Sequence, residues 1–350
     1  MVDKRAGSTH PPGATRGDGG MKDRGVDLRH AVDAVRLAAL ACRSVQERLV
    51  RPETLEKKDK SPVTVADFAS QAIVCARLAE RFPEDPVVGE EDSRALREAS
   101  NGPLRAAIVE RVAAALGSSP DEAQVLAWID RGSGAADSVR YWTLDPIDGT
   151  KGFLRGEQYA VALGLIEDGE VVLGVLGCPN LPLGEGRGAL FTGVRGQPAH
   201  VHSLWDSEAP PQKISVGALR SAAEARFCES VESAHSDQDE SARVAALLGI
   251  DSAPYRIDSQ CKYAAVARDD ASIYLRLPTR SKYLEKIWDH AAGSVIVESA
   301  GGTVTDVEGR PLDFRHGREL QRNRGVVATG GSIHTQVLDA LRRVREDGSA

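Results

Sequence analysis

The sequence predicts a layered α/β protein, and three observations carry that expectation. Apolar residues recur at spacings of three and four from Asp27 to Leu49, the mark of an amphipathic helix packed on a core. Two β-rich runs, 161–166 and 171–176, flank Asp168-Gly169, which reads as an antiparallel hairpin. From Ile214 onward short apolar strands are interleaved with helical stretches, the alternation expected of a layered α/β unit.

Whole-chain properties narrow the function classes. The 350 residues allow one large or two medium domains with a substantial core. Lys and Arg number 44 against 51 Asp and Glu, a net charge of −7 that indicates no general affinity for nucleic acid or an anionic membrane. A phosphate-bearing substrate would therefore be met locally, by metal or by a few placed cations. The five cysteines, Cys42, Cys75, Cys178, Cys228 and Cys261, are scattered and never paired as C-x-x-C, so reduced thiols in the cytoplasm are expected. No apolar run approaches the roughly 18 residues of a membrane span. Residues 1–22 read as a disordered Gly/Pro-rich leader without a secretory signal, 23–205 as an N-terminal half and 206–346 as a C-terminal half.

Taken in order, the first helix should bury Leu28, Val32, Val35, Ala39, Cys42, Val45 and Leu49. A charged loop over 57–67 leads to a second helix with Phe68, Ala72, Cys75, Ala79 and Phe82 as its stripe. Asp67 is expected in the first turn of that helix, where a carboxylate complements the dipole. A short strand over Val87 and Val88 ends in Glu90-Glu91-Asp92, like charges that either face water or are gathered by a cation. From Ser93 to Ser138 the pattern is helical, with Ile108, Val112, Ala115 and Leu116 as its packing face.

The stretch from Trp142 to Gly152 is the centre of the chain. An apolar approach runs into Asp145 and Asp148, separated by Pro146-Ile147, and then into Gly149 and Thr150, which reads as a strand closing in a tight polar turn. Pro146 fixes its φ and Gly149 permits a backbone angle closed to other residues, so both acids sit on a rigid bend and can face one cation. The same bend alone is equally compatible with a turn that caps the next element. Past the hairpin, a strand at 189–192 should extend the antiparallel sheet, while 183–212 reads as irregular connections. His200 and His202 there are expected on one strand face or loop rather than as a metal pair.

In the second half strands are expected at 214–216, 255–257, 272–277 and 325–328, and helices at 241–248, 262–267, 290–300 and 333–344. Asp258-Ser259-Gln260-Cys261-Lys262-Tyr263 gathers polar groups at a strand-to-helix turn, and Asp289 opens a helix of small residues.

Asp67 beside a helix start, Glu90 in G-E-E-D-S, D-P-I-D-G-T over 145–150 and W-D-H-A-A-G around Asp289 occur in that order. This combination resembles the lithium-sensitive, magnesium-dependent phosphatases of the inositol monophosphatase superfamily, from about residue 27 to 345. A finer resemblance, to the 3′(2′),5′-bisphosphate nucleotidases, rests on K-S-P-V-T-V-A-D over 60–67, G-T-K-G-F-L-R-G over 149–156, D-S-Q-C-K-Y over 258–263 and Y-L-R-L-P over 274–278. It implies an α-β-α-β-α sandwich, with an α+β N-terminal half and an α/β C-terminal half.

Hydrolysis of a phosphate monoester needs an activated water, neutralised phosphoryl charge and a stabilised leaving oxygen, which hard divalent cations on carboxylates supply. Asp and Glu recur here while His and Cys do not cluster, which suits Mg²⁺. The resemblance places one ion on Glu90, Asp145 and the Ile147 carbonyl, a second on Asp145, Asp148 and Asp289, and a third on Asp67 and Glu90. It makes Thr150, oriented with Asp67, the group that activates the attacking water. On the substrate side it implies Gly149, Lys151 and Asp289, with Ser259 and Lys262 at the ribose and 5′-phosphate, Arg276 near the base, and His235 near the adenosine or its phosphate.

The expected reaction is hydrolysis of 3′-phosphoadenosine 5′-phosphate to AMP, with 3′-phosphoadenylyl sulfate as a further substrate. An inositol polyphosphate 1-phosphatase and a catalytically silent nucleotide-binding protein of the same fold remain as alternatives. The expected partner is a small phosphorylated nucleotide, with no nucleic acid or membrane, on a monomer or weak homo-oligomer.

Overall fold

The computed structural model describes residues 24–49, 61–231, 238–278 and 283–347, and their elements stack in five layers. Helices α1 (Gly25–Leu49), α2 (Ser61–Arg81), α3 (Gly102–Leu116) and α4 (Glu122–Asp130) cover one face of a seven-stranded sheet. That sheet runs in sequence order through β1 (Val87–Gly89), β2 (Arg140–Asp148), β3 (Ala160–Glu167), β4 (Glu170–Leu183), β5 (Gly186–Val194), β6 (His200–Ser203) and β7 (Gln212–Lys213). Only β1 and β2 pair in parallel within it. A short helix, α5 (Thr150–Leu154), joins β2 to β3.

The middle layer is α7 (Cys261–Ala267) with α8 (Ala291–Ser299). Beyond it lies a five-stranded sheet in the order β11 (Gly302–Thr305), β12 (Val326–Gly330), β10 (Ile273–Arg276), β8 (Phe227–Glu229), β9 (Tyr255–Arg256). Helices α6 (Gln238–Leu248) and α9 (His334–Asp347) close its outer face. The α-β-α-β-α sandwich expected from the sequence is therefore the fold.

Burial on both faces explains why β3 reads as a continuous apolar run rather than an alternating one. Val161, Leu163 and Leu165 join the core under α1 and α2, while the small Ala160 and Ala162 face the middle layer. A row of glycines deepens that second face: Gly164 pairs with Gly174, and Gly174 with Gly193, across three neighbouring strands. A Cβ on Gly174 would stand 2.5 Å from the Ala292 carbonyl oxygen, and one on Gly193 2.7 Å from Ile296 Cα. Helix α8 thus lies in a trough cut by these three glycines, which fixes the height of Asp289 just before it.

Most predicted elements are present, including the hairpin, whose Asp168 (φ 51°) and Gly169 (φ 78°) take the left-handed angles a two-residue turn demands. Asp67 is a correction. Helix α2 begins at Ser61, because Pro62 is tolerated in a first turn, so Asp67 sits well inside the helix and is buried instead of capping it. The strand expected at 189–192 is present as β5, and β6 forms within 183–212 where irregular chain was expected. Residues 214–216 form no strand, although Ile214 and Val216 donate to the carbonyls of Ala199 and Ala300 at 3.0 Å each. Strands β8 and β11 were not anticipated. The leader and residues 57–60 of the expected loop lie outside the described residues, and residues 61–67, expected as loop, are the first turns of α2. Among the described residues no helix is long and apolar enough to cross a membrane.

Because α8 rests directly on the glycine row, Gly174→Ala should destabilise the protein by about 1–3 kcal/mol. Urea unfolding measures this, and an unchanged midpoint would show that α8 does not press on β4.

Candidate active site

Four separate segments converge at the C-terminal end of β2. Buried Asp67 comes from α2, Glu90 follows directly on β1, Asp145 and Asp148 lie on the last turn of β2, and Asp289 ends the 3₁₀ turn Ile287–Asp289 ahead of α8. The β2–β3 register shifts between Asp145 and Asp148, a bulge that re-aims the strand end. Gly149 then takes φ +93°, and a Cβ there would fall 2.8 Å from the Ser259 Cβ, so only glycine lets this turn meet the start of α7.

Glu90, Asp145, Asp148 and Asp289 share one cavity of about 320 Å³ with the Ile147 backbone, Gly149, Thr150 and Lys151. Ser259, Lys262, Tyr274 and Arg276 line the same cavity. Every predicted site residue that the structure describes is therefore at the cavity, save Asp67, which lies behind it and is felt electrostatically by Asp145. His235 lies outside the described residues.

Crowding of the acids shifts them all in one direction. Burial, then the charges of Glu90, Asp148, Asp289 and Asp67, holds the Asp145 carboxyl well above the usual carboxylate range. Glu90 is exposed at the rim, yet burial of its inner face and the charges of Glu91 and Asp148 push it up to about 7. Asp289 is likewise pushed up to about 7, by burial and by Asp148 and Glu90, against the pull of His290 and Arg276. Asp67 is raised by burial and by Glu91 and Glu90. Asp148 is raised by burial, opposed by Lys262 and by the Gln260 N–H, which donates to its Oδ2 at 2.6 Å.

One oxygen in this cluster is left over. Asp145 Oδ1 is buried without a hydrogen-bond partner among the described residues, a state that costs free energy unless a cation meets it. An orphaned carboxylate oxygen among four other acids, with oxygen donors alone, fits a hard divalent ion. Glu285, Asp289 and His290 also lie close enough together to hold an ion. Two of them are already engaged: His290 Nδ1 meets the Tyr263 hydroxyl at 2.8 Å, its Nε2 meets Glu285 at 3.2 Å, and Glu285 accepts from Arg276 Nε at 3.3 Å. That chain holds Arg276 and the Asp289 turn in place.

Of the cations at the cavity, Lys262 is buried with its ammonium 5.3 Å from the Tyr274 ring centre. Burial lowers its pKa and Asp148 opposes the fall. Burial also works against the charge of Arg276, but Tyr274, Glu285 and Asp289 hold its pKa raised. Ser259 carries φ +65°, unusual for a side-chain-bearing residue, and its hydroxyl accepts from the Cys261 N–H at 3.2 Å. Asp258 lines the cavity but is paired with Arg155 and accepts from Val231 N at 3.1 Å.

Sequence reasoning passed over Glu285 and His290 as functional groups, and it missed Ser70 and Gln71 altogether. Glu285 stands four residues before Asp289, and Ser70 and Gln71 stand three and four after Asp67. Helical spacing from an identified acid is the signal that finds the last two.

A model of the inositol monophosphatase family matches residues 27–346. The chain is 43% identical over 332 residues to a 3′(2′),5′-bisphosphate nucleotidase of Schizosaccharomyces pombe, covering 90% of this chain and 94% of that protein. It is 45% identical over 320 residues to the protein of that name in Emericella nidulans, covering 83% and 90%. Among solved structures it is similar to an inositol monophosphatase from Zymomonas mobilis, with a TM-score of 0.62 at 21% identity over 92% of this chain and 100% of that one. The extragenic suppressor protein suhB from Bartonella henselae gives a TM-score of 0.61 at 21% identity, covering 91% and 99%. At that identity the structures show a shared fold.

The raised carboxyls give stability a definite pH dependence. A carboxyl whose folded pKa lies above its unfolded value of about 4 holds its proton more tightly when folded, so stability falls as pH rises from about 4 to about 7 and levels off above. Metal-free protein should therefore melt at a higher temperature at pH 5 than at pH 8, and Asp145→Asn should raise the pH 8 value and flatten the slope. Thermal melts in EDTA across this range test both, and curves indifferent to pH and to the substitution would contradict the crowding described here.

Proposed function

The chain belongs to the inositol monophosphatase family and stands with its 3′(2′),5′-bisphosphate nucleotidases, and we propose that it hydrolyses 3′-phosphoadenosine 5′-phosphate to AMP and phosphate. 3′-Phosphoadenylyl sulfate, which carries the same 3′-phosphate, is its second substrate. One observation carries the reading: a single cavity is lined both by the clustered acids Glu90, Asp145, Asp148 and Asp289, with an orphaned Asp145 oxygen, and by the cations Lys262 and Arg276.

Mg²⁺ would be held by Glu90, Asp145 and the Ile147 carbonyl, by Asp145, Asp148 and Asp289, and in a third position by Asp67 and Glu90. Bound there, the ions neutralise phosphoryl charge and acidify water. Thr150 Oγ1, at the start of α5, orients the attacking water in line with the scissile bond, with Asp67 as the carboxylate that takes up its proton. A hydroxyl is too weak a base to act without such a partner. Lys262 binds the 5′-phosphate and Ser259 the ribose, while Arg276, steadied by Glu285, flanks the base. Gly149 brings the Asp148–Thr150 bend against the Ser259 turn, so that both face the substrate, and Lys151 adds a cation at the rim.

Phosphate release should be seen with 3′-phosphoadenosine 5′-phosphate and Mg²⁺, and be suppressed by EDTA and by lithium. Lys262→Ala should raise KM for the nucleotide about tenfold or more, the worth of a charge-assisted contact to phosphate. Release only from inositol 1-phosphate or inositol 1,4-bisphosphate would move the protein to another branch of the family, and nucleotide binding without release would make it a silent binding protein.

A further inference from the structure

Residues Asp67, Ser70 and Gln71 occupy one face of α2, three and four residues apart, and the two neutral ones are fully buried. The Ser70 hydroxyl donates to the Pro146 carbonyl at 2.9 Å, in the bend between Asp145 and Ile147. The Gln71 amide is more fully used. Its Nε2 donates to the Glu91 carbonyl at 2.6 Å and to the Ile129 carbonyl at 2.8 Å, while its Oε1 accepts from the Glu91 N–H at 3.1 Å. Both polar groups of the Glu91 backbone are thus held by one side chain, as a neighbouring strand would hold them.

The surrounding backbone is shaped to that amide. A Cβ on Gly89 would lie 2.4 Å from Gln71 Oε1, and one on Gly132 would lie 2.3 Å from Nε2. The two glycine segments are themselves tied by Gly89 N–H to Gly132 C=O at 2.7 Å. The amide therefore sits clasped between two glycine backbones, and the residue between Gly89 and Glu91 is Glu90. The contacts are polar: two end on Glu91, next to an acid of the cluster, and one on the Ile129 carbonyl of α4.

From this geometry we infer that Gln71 is a positioning residue that sets the divalent-cation affinity of the site, by holding Glu90 against the repulsion of Asp145 and Asp67. The inference rests on the metal reading given above. Polar groups that orient metal ligands without touching the ion are worth about 10–100-fold in metal affinity, and the Gln71 amide stands in that relation to Glu90. Gln71→Met keeps the side-chain length and removes every one of its hydrogen bonds. Gln71→Asn keeps an amide but withdraws it by one methylene, and serves where the methionine variant does not fold.

Isothermal titration of Mg²⁺ into the full-length apo protein, without nucleotide, gives the affinity directly, and melting in EDTA reports the fold. The expected result is a folded variant with Mg²⁺ affinity about 10–100-fold weaker, whose phosphatase activity returns at high Mg²⁺ with an unchanged KM for nucleotide. A folded variant that binds Mg²⁺ within about twofold of the parent overturns the inference alone. A parent protein that binds no Mg²⁺, or binds it equally well as Asp145→Asn, overturns the metal reading and this inference with it.

Discussion

Glu90, Asp145, Asp148 and Asp289 crowd one cavity of about 320 Å³ with Asp67 nearby, and each would be relieved by moving apart. At an effective dielectric near 20, two like charges about 4 Å apart repel by about 4 kcal/mol. That is a large part of the 5–15 kcal/mol by which a typical domain is stable. The acids stay together because each is attached to an element that cannot give way. Asp145 ends a central strand paired on both sides, Asp67 is inside a helix on the buried face of the sheet, and Glu90 is held through the Gln71 amide.

Asp289 is the acid that comes from the other half of the chain, and its placement depends on packing. The glycine row Gly164, Gly174 and Gly193 lets α8 approach the seven-stranded sheet more closely than any side chain would allow. Arg318 then joins the two halves at the cavity edge: its guanidinium donates to the Gly89 carbonyl, lies 4.7 Å from the Trp288 ring centre, and its own carbonyl accepts from Ile287 N–H at 3.2 Å. Glu90 and Asp289 are thereby braced by one residue. Protonation can relieve the remaining strain in the absence of a cation, which is why the carboxyls are raised rather than expelled to solvent.

What could be read from the sequence followed from signals local in the chain. Periodicity found α1, the Asp-Gly turn found the β3–β4 hairpin, and the Pro-Ile spacer between Asp145 and Asp148 marked the bend that the structure places at the cavity. What could not be read depends on contacts across the chain. Strands β8 and β11 are only three and four residues long, too short for alternation to show, and they exist because β10 and β12 supply partners. Asp67 was misplaced because the acid-before-apolar pattern of a cap is the same whether the helix starts there or earlier at Ser61. Gln71 and Glu285 carry no motif of their own, since their roles consist of bonds to Glu91 and Arg276, distant in sequence or visible only in space.

On the proposed function, the mixed lining of the cavity would let an acidic protein take a polyanion. A divalent ion held by the acids would reverse their sign, and Lys262 and Arg276 line the same cavity, so a ligand with two negative groups would meet both. Lys262 and Arg276 are held in unequal ways: Arg276 has a direct partner in Glu285, whereas Lys262 is buried beside the Tyr274 face with its charge favoured by the fields of Asp148, Cys228 and Asp258. A cation so placed gains more from an incoming phosphate than one already paired, because the ligand supplies the compensation that burial withholds. On the proposed function, selectivity for a second phosphate would then reside in Lys262, since acids that hold a metal would act on any phosphate ester.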